Sequence, residues 1–270
     1  MTVVAMSGPE SPVRLFDLSG RSALITGATG AFGRVASRAL GAAGVNTALA
    51  GANRELLEKV GTEVRSLGAK VVTVDRRPET VEDADAMVAA AVTAFGGLDL
   101  VVVASGMNDP APIVEMSLDR WEGIMDANVR GSWLVCRAAG KQMIAQGRGG
   151  KVVLLSSTRG KLGHPAGYSG YCSSKSAVDG LTRAPACEWG RHRITVNAIG
   201  PTVFRSNLTA WMFAEEGPGK AAREGMLSRI PLGRLGEPED LVGVLIFLLS
   251  PASDFCTGQV YYVDGGYTAG

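Results

Sequence analysis

Short apolar runs alternate along this chain with longer stretches in which apolar residues recur every three or four positions. A run without polar interruption suits a strand buried on both faces, and a three-to-four period suits a helix with one face on the core. The strand-like runs cover residues 23–26, 45–50, 70–74, 98–103, 151–155, 194–199 and 260–263. Between them the pattern predicts helices from about Ala31, over 54–67, over 81–95, around 118–147, and from the Tyr171 segment to about Gly190. Regular alternation of strand and helix predicts an α/β fold of Rossmann type, a doubly wound parallel sheet of about seven strands with helices on both faces. No repeat or linker divides the pattern. Residues 16–270 read as one domain behind a flexible arm, 1–15, that holds Gly8, Pro9 and Pro12. Residues 206–228 interrupt the alternation with Trp211, Met212, Phe213 and a Glu-Glu-Gly-Pro-Gly turn. Pro185 falls inside the predicted helix after Tyr171, where proline removes an N–H and costs about 3 kcal/mol unless the helix kinks.

The first strand runs into Gly27-Ala28-Thr29-Gly30-Ala31-Phe32-Gly33, and a helix follows. Small residues at such a turn let backbone approach a pyrophosphate, and the helix N-terminus offers free N–H groups to the anion. This predicts a dinucleotide site. The run at 151–155 ends in Ser156-Ser157, and a hydroxyl at a strand end faces the crevice where doubly wound sheets bind ligands. Tyr171 and Lys175, four residues apart, share one face of the predicted helix. A fixed ammonium beside a phenol favours the phenolate, so the pair suits acid-base chemistry. Asn128 is an amide within a long amphipathic stretch, where it either faces solvent or is buried for a purpose.

Together these residues resemble the short-chain dehydrogenase/reductase family, over nearly the whole chain from about Phe16 to Gly266. The family's Thr-Gly-x-x-x-Gly-x-Gly falls on Thr26 to Gly33, its serine on Ser157, its Tyr-x-x-x-Lys on Tyr171 and Lys175, and its helix asparagine on Asn128. Later landmarks fall at 193–199 with Pro201, at 231–240, at 257–260 and at 263–266. The chain departs from the pattern in four places. Ala31 replaces the middle glycine, Val103-Ala104-Ser105-Gly106 replaces Asn-Asn-Ala-Gly, Thr202 replaces the glycine after Pro201, and Ser206 stands for the usual carboxamide-binding threonine. These predict an altered cofactor fit with binding retained.

The resemblance implies hydride transfer between the nicotinamide of NAD(P) and a carbinol or carbonyl carbon, with Tyr171 moving the proton and Ser157 orienting the substrate oxygen. It implies that Lys175 binds the nicotinamide ribose and keeps the Tyr171 pKa low, and that Asn128 holds a water linking Lys175 to solvent. The cofactor would lie along Gly27, Thr29, Gly30, Ala31, Phe32 and Gly33, reach Gly51, Asn53 and Arg54, border Asp75 and Arg76, and return past Ala104, Ser105, Gly106, Pro201, Phe204 and Ser206. Gly51 occupies the place where a carboxylate would select NAD. With no acid there, and with Arg54 or Arg34 able to reach a 2′-phosphate, the sequence leans to NADP.

The substrate pocket is expected to hold Met107, Arg159, His164, Tyr168, Thr202, Trp211 and Met212, with 206–228 as its lid. Arg159 either points to solvent or pairs with a substrate carboxylate, and the start of the domain is similar to family members acting on sugar acids and polyols. Two other readings stand beside a secondary-alcohol dehydrogenase: a 3-oxoacyl-(acyl-carrier-protein) reductase and a cofactor-binding regulator without turnover. Assembly is implied to be a homotetramer or homodimer through the helices bearing Asn128 and Tyr171, with Tyr267 at a subunit contact. The 270 residues are 46% hydrophobic and 20% charged with a net charge of +1, which argues against a nucleic-acid binder. Nothing approaches a membrane span, and the four cysteines show neither metal-ligand nor disulfide spacing, so reduced thiols of a cytoplasmic protein are expected.

Overall fold

A computed structural model of the chain describes residues 12–206 and 209–270. Seven strands form one parallel sheet: β1 (Ser22–Thr26), β2 (Asn46–Ala50), β3 (Val71–Val74), β4 (Leu100–Val103), β5 (Gly150–Leu155), β6 (Ile194–Pro201) and β7 (Val260–Val263). Their spatial order is β3-β2-β1-β4-β5-β6-β7, so the winding reverses between β1 and β4. That reversal opens a crevice at the carboxyl ends of the central strands.

Two helical layers cover the sheet. On one face α3 (Val81–Phe95), α5 (Gly131–Gln146) and α6 (Ser169–Trp189) bury Met87, Leu134, Met143 and Val178 against Leu24, Val101, Val152 and Val196. On the other, α1 (Ala31–Ala42), α2 (Arg54–Arg65) and α8 (Val242–Leu249) bury Leu40, Leu57 and Leu245 against Ile25, Leu49, Val102 and Ile199. Residues of β1 therefore alternate between the two cores, which is why its middle, Ala23-Leu24-Ile25, is apolar without a break. Each fully buried leucine of this kind contributes about 2 kcal/mol.

The predicted elements form with small shifts at their ends. β4 begins at Leu100 because Asp99 is held at the strand's foot, where its carboxylate accepts from Ser22 N–H at 2.9 Å. α6 runs through Pro185 without ending; the ring is buried beside Ala186, which offsets part of the lost hydrogen bond. Between α4 (Leu118–Met125) and α5 the chain makes one π turn, Asp126–Arg130, around Asn128. The sequence pattern offered no element for α8, because every residue of it except Gly243 is apolar and no period marks a face. Residues 1–11, most of the expected N-terminal arm, lie outside the described residues; Pro12–Phe16 are a 3-10 turn, where a flexible arm was expected through residue 15. The stretch expected as a lid contains a 3-10 turn (Ala210–Phe213) and α7 (Gly217–Leu227); Asn207 and Leu208 lie outside the described residues.

Candidate active site

The turn after β1 is built from backbone in direct contact. Gly27 has φ +64°, and a methyl on it would lie 2.6 Å from Ser105 N and 2.7 Å from the Ala104 carbonyl carbon; one on Gly33 would lie 2.1 Å from Gly27 O. Only glycine fits either place. α1 then starts at Ala31 with Gly30 as its cap and no side chain answering its first N–H groups. A groove of about 780 Å³ passes this uncapped end, lined by Thr29, Gly30, Ala31, Arg34 and Ser206. An uncapped helix end over a glycine turn suits a pyrophosphate, so the residues present fit a dinucleotide. Phe32 contributes backbone only, since its ring is buried in the core. Thr29 faces Gly51, its side chain 3.5 Å from where a Gly51 methyl would sit.

At the outer end of this groove most polar groups are already engaged. Asn53 Oδ1 caps α2, accepting from Leu56 N–H at 2.9 Å, and Arg76 pairs with Asp83 at 2.7 Å. Arg34, offered by the sequence for a 2′-phosphate, is instead bound through Nε to Glu63 Oε2 at 3.0 Å. Among the described residues Arg54 makes no ion pair, and Asp75 is exposed.

The catalytic candidates converge at the crevice. Lys175 is buried on α6 and donates from Nζ to Leu155 O at 2.7 Å; the same nitrogen is 5.6 Å from the Tyr171 ring centre. Ser157, just past β5, donates to Pro201 O at 3.4 Å and accepts from Arg159 N–H at 3.1 Å, and its hydroxyl favours ionised Tyr171. Asn128 is 1% exposed, so the solvent-facing alternative is excluded. Its Oδ1 accepts from Met107 N–H at 2.7 Å, and its Nδ2 donates to Met107 O at 2.9 Å and to Ser174 Oγ at 2.8 Å. Ser174 in turn donates to Tyr171 O at 2.8 Å. The amide expected to hold a water is thus committed to a clasp that ties the loop after β4 to the Tyr171 helix. A methyl on Gly106 would lie 2.9 Å from Asn128 Oδ1 and 3.7 Å from Lys175 Nζ, which shows how closely this loop approaches the pair.

Burial governs the titration of the site. It pushes the Tyr171 phenol up to about 12, against the pull of Ser157 and Arg159. It brings Lys175 down to about 8, against the charge of Asp179 one turn further on. Asp179 is itself raised by burial, opposed by its hydrogen bond from Ser156 and by Arg183 and Lys175. The expectation that Lys175 keeps the phenol low is therefore reversed in the protein by itself: desolvation dominates at Tyr171 and also lowers Lys175.

The pocket candidates divide. His164 stacks on Tyr168 at 4.5 Å, and Tyr168 stands edge-on to Tyr171 at 6.1 Å. His164 Nδ1 accepts from Ala166 N–H at 3.1 Å, and its pKa is lowered by burial and by Arg159 and Arg229. Arg159 is 6% exposed and faces the interior. The Thr202 hydroxyl is buried and has no partner among the described residues, a donor left over for a bound group. Met107 and Trp211 are exposed, Met107 on the loop clasped by Asn128. Met212 is buried in a small core with Met226, Ile230, Leu235 and Tyr267. Tyr267 is likewise internal, at 1% exposure, and not a subunit contact. Of the cofactor candidates near the lid, Phe204 packs its ring on Gly236, and Ser206 is tied to Thr209 Oγ1 through its N–H at 3.0 Å and its hydroxyl at 3.1 Å. Sequence reasoning passed over Ser174, Asp179, Arg229 and the interior place of Tyr267; only Ser174, three residues after Tyr171, carried a positional signal.

Among the described residues no helix is long and apolar enough to cross a membrane, and no three metal-ligating side chains converge. A family model described as enoyl-(acyl carrier protein) reductase matches residues 27–268. The chain is 54% identical over 266 residues to an uncharacterized oxidoreductase of Mycobacterium tuberculosis, covering 98% of both. It is 36% identical to a gluconate 5-dehydrogenase of Gluconobacter oxydans, covering 97% of this chain and 99% of that one. The crystal structure of a gluconate 5-dehydrogenase from Burkholderia cenocepacia, in complex with NADP and tartrate, superposes with a TM-score of 0.89 at 30% identity, covering 96% of this chain and all of that one. With this fold, this glycine turn and the Ser157, Tyr171 and Lys175 constellation, the chain belongs to the short-chain dehydrogenase/reductase family.

Proposed function

We propose that this NAD(P)-dependent oxidoreductase interconverts a secondary alcohol and a ketone on a sugar acid or related hydroxy acid, with NADP preferred over NAD. The convergence of Ser157, Tyr171 and Lys175 beside the uncapped start of α1 carries the reading. When bound, the nicotinamide supplies the hydride donor or acceptor. Ser157 Oγ holds the substrate oxygen, and Tyr171 Oη gives or takes its proton. Lys175, buried beside Tyr171 with its pKa brought down to about 8, would bind the nicotinamide ribose. Asn128 and Ser174 act by position, fixing the Met107 loop and the start of α6 in register.

Gluconate 5-dehydrogenases among the relatives, one of them solved with NADP, support both the sugar-acid class and the cofactor. The absence of an acid at Gly51 removes the barrier to a 2′-phosphate, and Arg54 is the nearby cation without an ion pair among the described residues. A 3-oxoacyl-(acyl-carrier-protein) reductase is the second reading, supported by a relative so named in Staphylococcus aureus, 32% identical over 247 residues.

Residues 16–270 form one dehydrogenase domain, with 206–228 closing over the substrate. The assembly is a homotetramer or homodimer in the cytoplasm, its contacts on the helices of Asn128 and Tyr171, where Leu118, Trp121 and Trp133 are exposed. The test is turnover of sugar acids, cyclic ketones and acyl thioesters followed by reduced-nicotinamide absorbance with either cofactor. Turnover of acyl thioesters alone would replace this reading with the second, and a strong NAD preference would overturn the cofactor assignment.

A further inference from the structure

Tyr267 carries two guanidinium groups and no carboxylate. Arg159 donates from Nη2 to Tyr267 Oη at 2.9 Å and from Nη1 to Gly163 O at 2.8 Å, and its Cζ lies 5.3 Å from the Tyr267 ring centre. Arg229 Cζ lies 4.4 Å from that same centre. Among the described residues neither arginine makes an ion pair, although Arg34, Arg76, Arg120 and Arg234 all do. Asp264, three residues before Tyr267, is committed to the C-terminal turn, accepting from Gly266 N–H and Thr268 N–H at 2.9 Å each and from the Thr268 hydroxyl at 2.7 Å.

Both cations act on groups beside the reaction site. The Arg159 backbone N–H holds Ser157 Oγ, and its charge favours ionised Tyr171. Both arginines oppose protonation of His164, which stacks on Tyr168 next to Tyr171. A buried guanidinium without a counter-charge is costly, and Tyr267 and Gly163 satisfy only two of its five N–H donors. The planar fork matches a carboxylate, and Tyr267, whose oxygen accepts from Arg159, keeps its own hydrogen to donate. Neutral His164, with Nδ1 accepting, presents Nε2–H as a further donor.

We propose that Arg159 and Arg229, converging on Tyr267, form a carboxylate-recognition site for the acid end of the substrate and select hydroxy acids over neutral alcohols. The proposal rests on the oxidoreductase reading for the reaction, and on the cationic pair alone for the binding. It is tested by calorimetric binding of D-gluconate and of neutral D-glucitol to the full chain, with and without NADP, in a Tyr171→Phe background that prevents turnover. Gluconate is expected to bind at least about tenfold tighter than glucitol and to weaken with salt. Arg229→Gln, on an exposed side chain, should reduce gluconate affinity about 3- to 10-fold, and Arg159→Lys by at least about tenfold, with glucitol unchanged. Equal affinity for the two ligands, no gluconate binding in the millimolar range, or a gluconate affinity untouched by Arg229→Gln would overturn the proposal. Turnover is measured separately on the wild type: arginine-dependent gluconate binding without any turnover rejects the oxidoreductase reading and keeps this site, whereas equally efficient turnover of acids and neutral alcohols does the reverse.

Discussion

Lys175 places an ammonium where little water reaches, and that cost has a pH signature. The residue is 4% exposed, and burial holds its pKa at about 8. In the unfolded chain the same group titrates near ~10.4. Folding therefore favours the neutral amine. Between about pH 8 and ~10.4 the unfolded chain binds more protons, so stability rises with pH across that window, and below it the penalty is present in full. At ~1.4 kcal/mol per pH unit the whole effect is about 3 kcal/mol. Lys175→Met removes the titration and keeps most of the side-chain volume. Urea unfolding of wild type and variant at pH 7 and pH 10 isolates the term, because Tyr171 and the cysteines titrate in both. Wild type is expected to gain roughly 2 to 3 kcal/mol relative to the variant on going from pH 7 to pH 10. A difference between the two proteins that stays constant within about 0.5 kcal/mol would refute a desolvated Lys175.

Two further substitutions probe the frame around the site. Gly27→Ala puts a methyl 2.6 Å from Ser105 N at φ +64°, and should cost about 2 to 4 kcal/mol, read as a lower melting temperature together with weaker cofactor binding. Asn128→Ala opens the clasp on Met107 and Ser174 and should lower kcat about 10- to 100-fold through misplacement of Tyr171, while cofactor affinity changes less; an unchanged kcat would remove Asn128 from the positioning chain.

The sheet was legible because its central strands are buried on both faces and therefore read as short, mostly apolar runs. The same property hid α8, whose all-apolar sequence has no face to detect. Ser157, Tyr171 and Lys175 were legible because a strand end and a one-turn helical spacing fix their places before any tertiary contact is known. Contacts between distant segments were not. Arg159 gave no sign of its burial, since the partner that holds it, Tyr267, lies 108 residues away. Arg34 looked free for a phosphate until Glu63, 29 residues on, claimed it. Asn128 announced itself as an amide in an amphipathic stretch, yet its clasp depends on a loop and a second helix that meet only in the folded chain. The direction of the Tyr171 shift was misjudged for the same reason, because helix spacing reports the nearby ammonium and not the desolvation around both groups.

We propose that Tyr171 carries the proton in a nicotinamide-dependent reaction. The most direct measurement is sugar-acid oxidation by wild type and Tyr171→Phe, with cofactor affinity determined on both proteins. The expected rate is lower by about 10²- to 10⁴-fold in the variant, with cofactor affinity essentially retained. A variant as active as wild type, or a wild type that binds the cofactor and turns over nothing, would contradict it.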